Sequence, residues 1–445
     1  MCTLFMSFWW WELRVAFSDM AYQLCIILQF DKLAIQHNRF GTAATQLFPL
    51  MASRLEMPFE FVAQSYAVSF YVFLLLVFLL AVLLGSTRMA IVSVLSAILL
   101  TADTFFWAPS DLSIGLGLIC LGFALLEYAA RESVWHWTLA VSAAVFATAA
   151  FVHPLVIFPF VFTCGYFCIK SNAEMPRKLV IGAFLFFIGV YLVKKFYFAT
   201  EYEAEAMERL ERVKQLFPNY LTLDTNIELL RNCLTLYYWL PITLGMVNVY
   251  YVIKRNWKML LFVNVYLIAY LLLINVTQAN VNVLRLYVES MYLPLALMLC
   301  VPLVYDVFPT LQLKQVLSPF LLLVFLTFGV RIGTISLPFQ QRLDWVVRKT
   351  VEHRNEKLVV PSANLPMDTL IMAWALPYEA WIISMARNGS VTSLLAADDP
   401  SAWHSQLFRR DGWFTPWDVR PYSELPNRYF NFPDSSSSYK LVDKL

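Results

Sequence analysis

The sequence predicts an all-α polytopic membrane protein with about eleven transmembrane helices, interfacial helices in its first outer loop and a small α/β soluble domain at its C-terminal end. Three observations carry this expectation. Hydrophobic residues make up 60% of the 445 residues and charged residues only 14%, the balance of a membrane protein. Apolar runs of membrane-spanning length recur as far as about position 337. From about position 340 the composition turns to that of a soluble domain. The expected division is 1–339 for the multi-span part, with outer loops at 18–62 and 199–232, and 340–445 for a small extracytoplasmic domain.

The opening run MCTLFMSFWWW continues past Glu12 and Arg14 to Phe17, short for a span, with Trp9, Trp10 and Trp11 suited to headgroup level. Asp19 follows where the chain meets water. Beyond it, MAYQLCIILQF and TAATQLFPLMASRL repeat apolar residues at three- and four-residue spacing, as helices lying along a membrane surface do. They flank FDKLAIQHNRFG, which concentrates Asp31, His37 and Arg39. The later runs place spans at about 64–84, 89–106, 112–129, 135–151, 154–169, 179–198, 234–253, 259–275, 286–307 and 316–337. The pair around His153 and Pro154 also reads as one broken helix.

Lys and Arg set the orientation. With the N-terminus inside, Arg88, Arg131, Lys170 to Lys178, Lys254 to Lys258 and Lys314 fall in inner loops, as the positive-inside rule expects. The outer side then receives the first loop, the WAPSD and HP turns, the segment Lys194 to Arg231, the NVTQANVNVLR loop and the C-terminal domain. No cleavable signal peptide is expected ahead of the first span, which would itself direct insertion. The second outer loop opens with Glu201, Glu203, Glu205, Glu208 and Glu211 among Arg209, Arg212 and Lys214, read as a solvated charged helix that Pro218 ends. In the C-terminal domain KLVV and VTSLLAA read as strands around the helix DTLIMAWALPYEAWIISMARNG. The closing stretch from Trp403 interleaves Trp, Tyr and Phe with polar residues. Such a surface can hold a sugar, although a domain resting on a membrane has the same composition, and the structural reading is preferred.

Several chemistries have no foothold here. Net charge is +2 with no basic run interleaved with aromatics, so nucleic acid is not an expected partner. The seven cysteines are scattered, and Cys164 and Cys168 at helical spacing read as packing. There is no Gly-rich phosphate loop, no G-x-S-x-G, no H-E-x-x-H and no paired-cysteine metal motif. What remains is the set of ionisable residues at the outer ends of the spans, which are costly there and therefore functional candidates: Asp19, Asp103, Asp111, His153, Arg285 and Glu289, with Arg39 and His37 from the first loop. Each has a plainer reading. Arg285 and Glu289, four apart, suit a pair with one another; Asp111 suits an N-cap; His153 suits a turn histidine; Asp19 suits a surface anchor. Arg39 and Arg285 are the groups suited to a phosphate, which guanidinium binds bidentately.

The arrangement resembles the GT-C superfamily of integral-membrane glycosyltransferases, which take a sugar from a polyprenyl-phosphate carrier. The resemblance rests on an Asp just after the first span in FSDMAYQ, an outer loop of two interfacial helices, a second large loop after the seventh span, further spans and an outward C-terminal domain. It covers the whole chain as an architecture, with Asp19 its motif-level match. The resemblance implies that Asp19 is the general base for the acceptor hydroxyl. It also implies a polyprenyl-phosphate-linked sugar as donor, a glycan or lipid as acceptor, inversion at the anomeric carbon and compatibility with a divalent metal. Many members carry a second acid beside the first, where this chain has Met20; the ADTFFWAPSD turn is the candidate source. The expected location is a bacterial inner membrane, with the N-terminus cytoplasmic and the C-terminal domain periplasmic. The competing expectation is a non-enzymatic transporter, flippase or assembly partner for lipid-linked saccharides, against which stands the lack of an internal repeat.

Overall fold

The computed structural model describes the chain except residues 1, 109–110, 133–134, 171–174, 209–211, 217, 280–283, 311–312 and 434–435. Parts of several expected features lie outside the described residues: the WAPSD turn, the Arg131 and Lys170 to Lys178 inner loops, Arg209 and Glu211, the NVTQANVNVLR loop and the closing aromatic stretch.

The protein is mostly helical. The opening run is two short helices, α1 (Cys2–Trp9) and α2 (Trp11–Val15), broken at Trp10. The next segment holds α3 (Ser18–Phe30) and α4 (Ala43–Arg54), helical where the spacing predicts, although α3 is buried within the protein on most of its surface where a helix lying on a membrane was expected. The bundle follows as α5 (Phe59–Leu83), α6 (Thr87–Ile98), α7 (Asp111–Arg131), α8 (Trp135–Ala150), α9 (Ile157–Ile169) and α10 (Arg177–Tyr197). The segment between α10 and the closing helices carries α11 (Glu201–Glu208), α12 (Arg212–Gln215) and α13 (Asp224–Thr235). The bundle closes with α14 (Trp239–Ile253), α15 (Trp257–Thr277), α16 (Arg285–Pro302) and α17 (Leu313–Glu352).

Among the described residues, six helices are long and apolar enough to cross a membrane: α5, α7, α10, α15, α16 with its continuation to Thr310, and α17. The α13 and α14 pair, bent by 86°, makes a seventh if it counts as one span. The apolar helices α6, α8 and α9 are shorter. The run expected to span 89–106 stops being helical after Ile98, because the backbone of Ala102 to Thr104 turns away to bind Glu289. The central helices are α7 and α16, with 83% and 89% of their apolar windows buried within the protein, and α16 packs on α6, α7, α9, α14 and α15. At one end of the bundle α16 widens into a π-helical turn, Leu303–Val307. There Asp306 accepts from Tyr166 and Tyr251 and pairs with Lys170 at 2.9 Å.

Helix α17 does not stop near 337. It runs 40 residues to Glu352, so it is shared between bundle and C-terminal domain. That domain is built on parallel β1 (Lys357–Pro361) and β2 (Ser393–Ala397), with Val359 opposite Leu395, joined through α18 (Met367–Leu370) and α19 (Leu376–Asn388). The predicted single helix is thus two, parted at Ile371. Strands β3 (Gly412–Phe414) and β4 (Val419–Pro421) form a separate hairpin, and β5 (Lys440–Leu441) adds to the free edge of β1, for the order β2-β1-β5.

Candidate functional site around Asp19

Asp19 lies in the first turn of α3, where an acid is favoured by the helix N-terminus. The entry to that helix is abrupt. Phe17 is extended and Ser18 takes a positive φ of 47°, which is uncommon for a residue with a Cβ. Ser18 is fixed there because its N–H donates to Oε1 of Glu379 in α19 at 2.9 Å. Trp107 Nε1 donates to Asp19 Oδ2 at 2.9 Å. Burial raises the Asp19 carboxyl above the ordinary aspartate range, and the Trp107 hydrogen bond and the Arg39 charge offset part of that rise.

Arg39 comes from the loop after α3, which turns through positive φ at Asp31, His37 and Asn38. The loop then presses on the end of α8: a Cβ on Gly41 would stand 2.2 Å from the Val152 side chain, so only glycine allows this approach. As a result Arg39 reaches Asp111 at the start of α7, Nη1 to Oδ2 at 2.7 Å, with both side chains largely buried. Asp111 and Asp19 lie within electrostatic reach of one another. The WAPSD turn therefore brings a second carboxylate to Asp19, which the sequence around Met20 lacks. Burial pulls the Arg39 pKa down, Asp111 outweighs it, and the net shift is upward; the guanidinium stays charged. Its buried Nε has no hydrogen-bond partner among the described residues.

Tyr202 of α11 lies between Arg39 and His37. The His37 ring stacks on it at 4.5 Å and the Arg39 guanidinium stands over it at 5.7 Å. Burial, then the Arg39 charge, lower the His37 pKa, so this ring is neutral at neutral pH. Next to Tyr202, Glu203 pairs with the buried Lys194 at the end of α10, 3.3 Å apart. Glu203 is the exception in a segment that is otherwise the solvated helix expected, with Glu201, Glu205, Glu208 and Lys214 exposed. Neither Trp107, Lys194, Tyr202 nor Glu203 was a sequence candidate. Trp107 appeared only within the WAPSD turn, and nothing in the periodicity separates Glu203 from the other glutamates.

A cavity of about 450 Å³ opens beside this cluster. Arg39, His153 and Glu203 are among its polar lining groups, with Thr277 and Gln278, and Phe158, Tyr266 and Ile274 are among its apolar ones. His153 is indeed held by its turn: Nδ1 accepts the N–H of Leu155 at 3.1 Å. Burial and the neighbouring charges of Arg39 and Lys194 keep the ring neutral. With Nδ1 accepting, the proton sits on Nε2, so His153 is suited to donating a hydrogen bond and unsuited to acting as a base.

Asp19, His37, Arg39, Asp111 and His153 thus gather in one place; Asp103, Arg285 and Glu289 form a second. Arg285 does not pair with Glu289. It forks onto Asp103, at 2.5 and 2.8 Å. Glu289, fully buried, accepts the backbone N–H groups of Ala102, Asp103 and Thr104, the Thr104 hydroxyl and the Tyr237 hydroxyl. The i, i+4 spacing is real, but three buried N–H groups that need an acceptor outbid the neighbouring guanidinium. This second cluster closes the turn that carries Trp107 to Asp19. Among the described residues no three His, Cys, Asp or Glu side chains stand close enough to hold a metal ion.

Compared with models of known protein families, with characterised proteins and with solved structures, the chain matches none. The site is therefore read from its own geometry.

Proposed function

We propose that the chain is a GT-C-type membrane glycosyltransferase that moves a sugar from a polyprenyl-phosphate donor to a lipid-linked or cell-envelope acceptor on the extracytoplasmic side. The observation that carries this reading is an acid, Asp19, within electrostatic reach of a guanidinium, Arg39, that lines a largely apolar cavity. The apolar lining suits the isoprene units nearest the phosphate, and the phosphate itself suits Arg39, which retains an unused buried donor, and His153, which offers its Nε2–H.

In the transfer Asp19 takes the proton of the acceptor hydroxyl as that oxygen bonds to the anomeric carbon. The bond from that carbon to the phosphate oxygen breaks, the configuration inverts, and the lipid phosphate leaves with the electron pair and its negative charge. Arg39 stabilises that charge in a water-poor site. Trp107 and Asp111 hold the base and the guanidinium in place. The eleven-span reading adds the bent pair, the three shorter apolar helices and the N-terminal segment to the six long helices. With the basic loops inside, it places Asp19 on the periplasmic face of a bacterial inner membrane.

The test is turnover of a panel of polyprenyl-phosphate sugars by the purified protein beside Asp19→Asn. We expect sugar release that the substitution abolishes without unfolding the protein. An active Asp19→Asn variant rejects the base assignment. Binding of the lipid without turnover replaces the enzyme by the transporter or assembly partner.

A further inference from the structure

One feature next to Asp19 has no part in that chemistry. Trp417, at the tip of the β3–β4 hairpin, is 63% exposed, yet it is not loose. It meets Trp374 at 5.4 Å and Tyr22 at 5.3 Å between ring centroids. Tyr378 lies beneath them, 5.4 Å from Tyr22 and 6.3 Å from Trp417. The hairpin tip is closed by Thr415, whose N–H donates to the Asp418 carbonyl at 2.9 Å and whose hydroxyl donates to the Asp418 side chain. Trp374 and Trp417 belong to the C-terminal domain and Tyr22 to α3, so the patch exists only where the two parts meet.

Two further observations tie the patch to Asp19. Tyr22 is three residues beyond Asp19 on α3 and so shares its face of the helix. Across from it, contacts run from Asp19 to Trp107, from Trp107 to the Tyr287 ring at 4.8 Å, and from the Tyr287 hydroxyl to Met372 Sδ at 3.3 Å. Met372 lies two residues before Trp374, and the backbone there is forced. Ile371, β-branched, sits at φ 66°, ψ −50°, and the Met372 N–H returns to the Leu370 carbonyl at 2.6 Å. This is the rare γ-turn with positive φ, which stores about 1–3 kcal/mol. Arg342 clamps it by donating to the same Leu370 carbonyl at 3.1 Å.

We infer that Tyr22, Trp374 and Trp417 form the acceptor subsite and that the acceptor is a saccharide whose ring lies on the exposed Trp417 face. The inference rests on the glycosyl-transfer reading for its placement beside Asp19. Indole faces match the C–H faces of pyranose rings, and the polar groups around the patch, Gln36 beside the Tyr22 hydroxyl and Asp418 beside Trp417, supply partners for the hydroxyls at its edge.

The test uses the full chain in lipid nanodiscs, labelled with fluorotryptophan, with the Trp417 resonance assigned by its disappearance in Trp417→Phe. The probes are short oligosaccharides of hexoses, N-acetylhexosamines and uronic acids. We expect the Trp417 resonance to shift with at least one class, in the wild type and equally in Asp19→Asn. We also expect Trp417→Ala to raise the acceptor KM about tenfold with little change in kcat. A Trp417 resonance that no saccharide moves, or one broadened by spin-labelled lipid, overturns the inference and makes the patch a membrane contact. Saccharide binding without sugar transfer leaves the subsite and removes the transferase; transfer with an acceptor KM indifferent to Trp417→Ala does the reverse.

Discussion

Asp19 and Arg39 work against each other's surroundings. Burial lifts the carboxyl's pKa and the guanidinium lowers it, so the base is ionised over more of the acid range with Arg39 present than without it. Activity should therefore fall as pH drops through the raised Asp19 pKa, and Arg39→Ala should move that acid limb to higher pH besides lowering the rate. A pH–rate profile of the two proteins checks the direction; an unmoved limb would mean that another group titrates. Folding stability follows the same sign. Because the folded state holds the Asp19 proton more tightly than the unfolded chain does, the ionised form opposes folding above the unfolded pKa. Asp19→Asn should then have a Tm equal to or above that of the wild type at neutral pH, with the difference vanishing in acid.

At the scale of elements, the loop between α3 and α4 meets the end of α8 where Gly41 packs against Val152. Gly41→Ala should cost about 1–3 kcal/mol of stability through forced displacement, and it should lower turnover because Arg39 moves with the loop. Adding Val152→Ala opens the space and should recover most of both, measured as Tm and rate. The periodicity of α3 and α4 was plain in the sequence because one face of each must be apolar. The strand–helix–strand order of the C-terminal domain was legible for the same reason. The partners of ionisable groups were not legible. Arg285 takes Asp103, 182 residues away, in preference to Glu289, because spacing along one helix says nothing of unsatisfied N–H groups brought in by another. Glu203 was hidden among similar glutamates and is distinguished only by Lys194. Nor does sequence show the γ-turn at Ile371, since a β-branched residue gives no warning of positive φ.

The molecule as a whole is joined through Arg342. From α17 it donates to the Ala16 carbonyl at 2.9 Å and to Leu370, pairs with Glu379, and stands over the Phe17 ring at 4.6 Å. Glu379 in turn takes the Ser18 N–H. Both charges are fully buried, so breaking one side is severe: Arg342→Met alone should cost about 3–5 kcal/mol, whereas Arg342→Met with Glu379→Leu should be far milder, as apolar replacement of a buried pair often is. Thermal unfolding of the single and double variants decides this. A single variant as stable as the wild type would show that the pair does not join the two parts.

That junction also orders events in time. Ala16 and Ser18 leave the ribosome well before the groups that set their geometry, which are 326 and 361 residues further along the chain. Until α19 has been made, nothing holds Ser18 at its positive φ or aims Asp19 at Trp107. A nascent chain halted anywhere in the bundle would carry the acid without its orientation, so the site is completed only with α19, long after its central residue is synthesised.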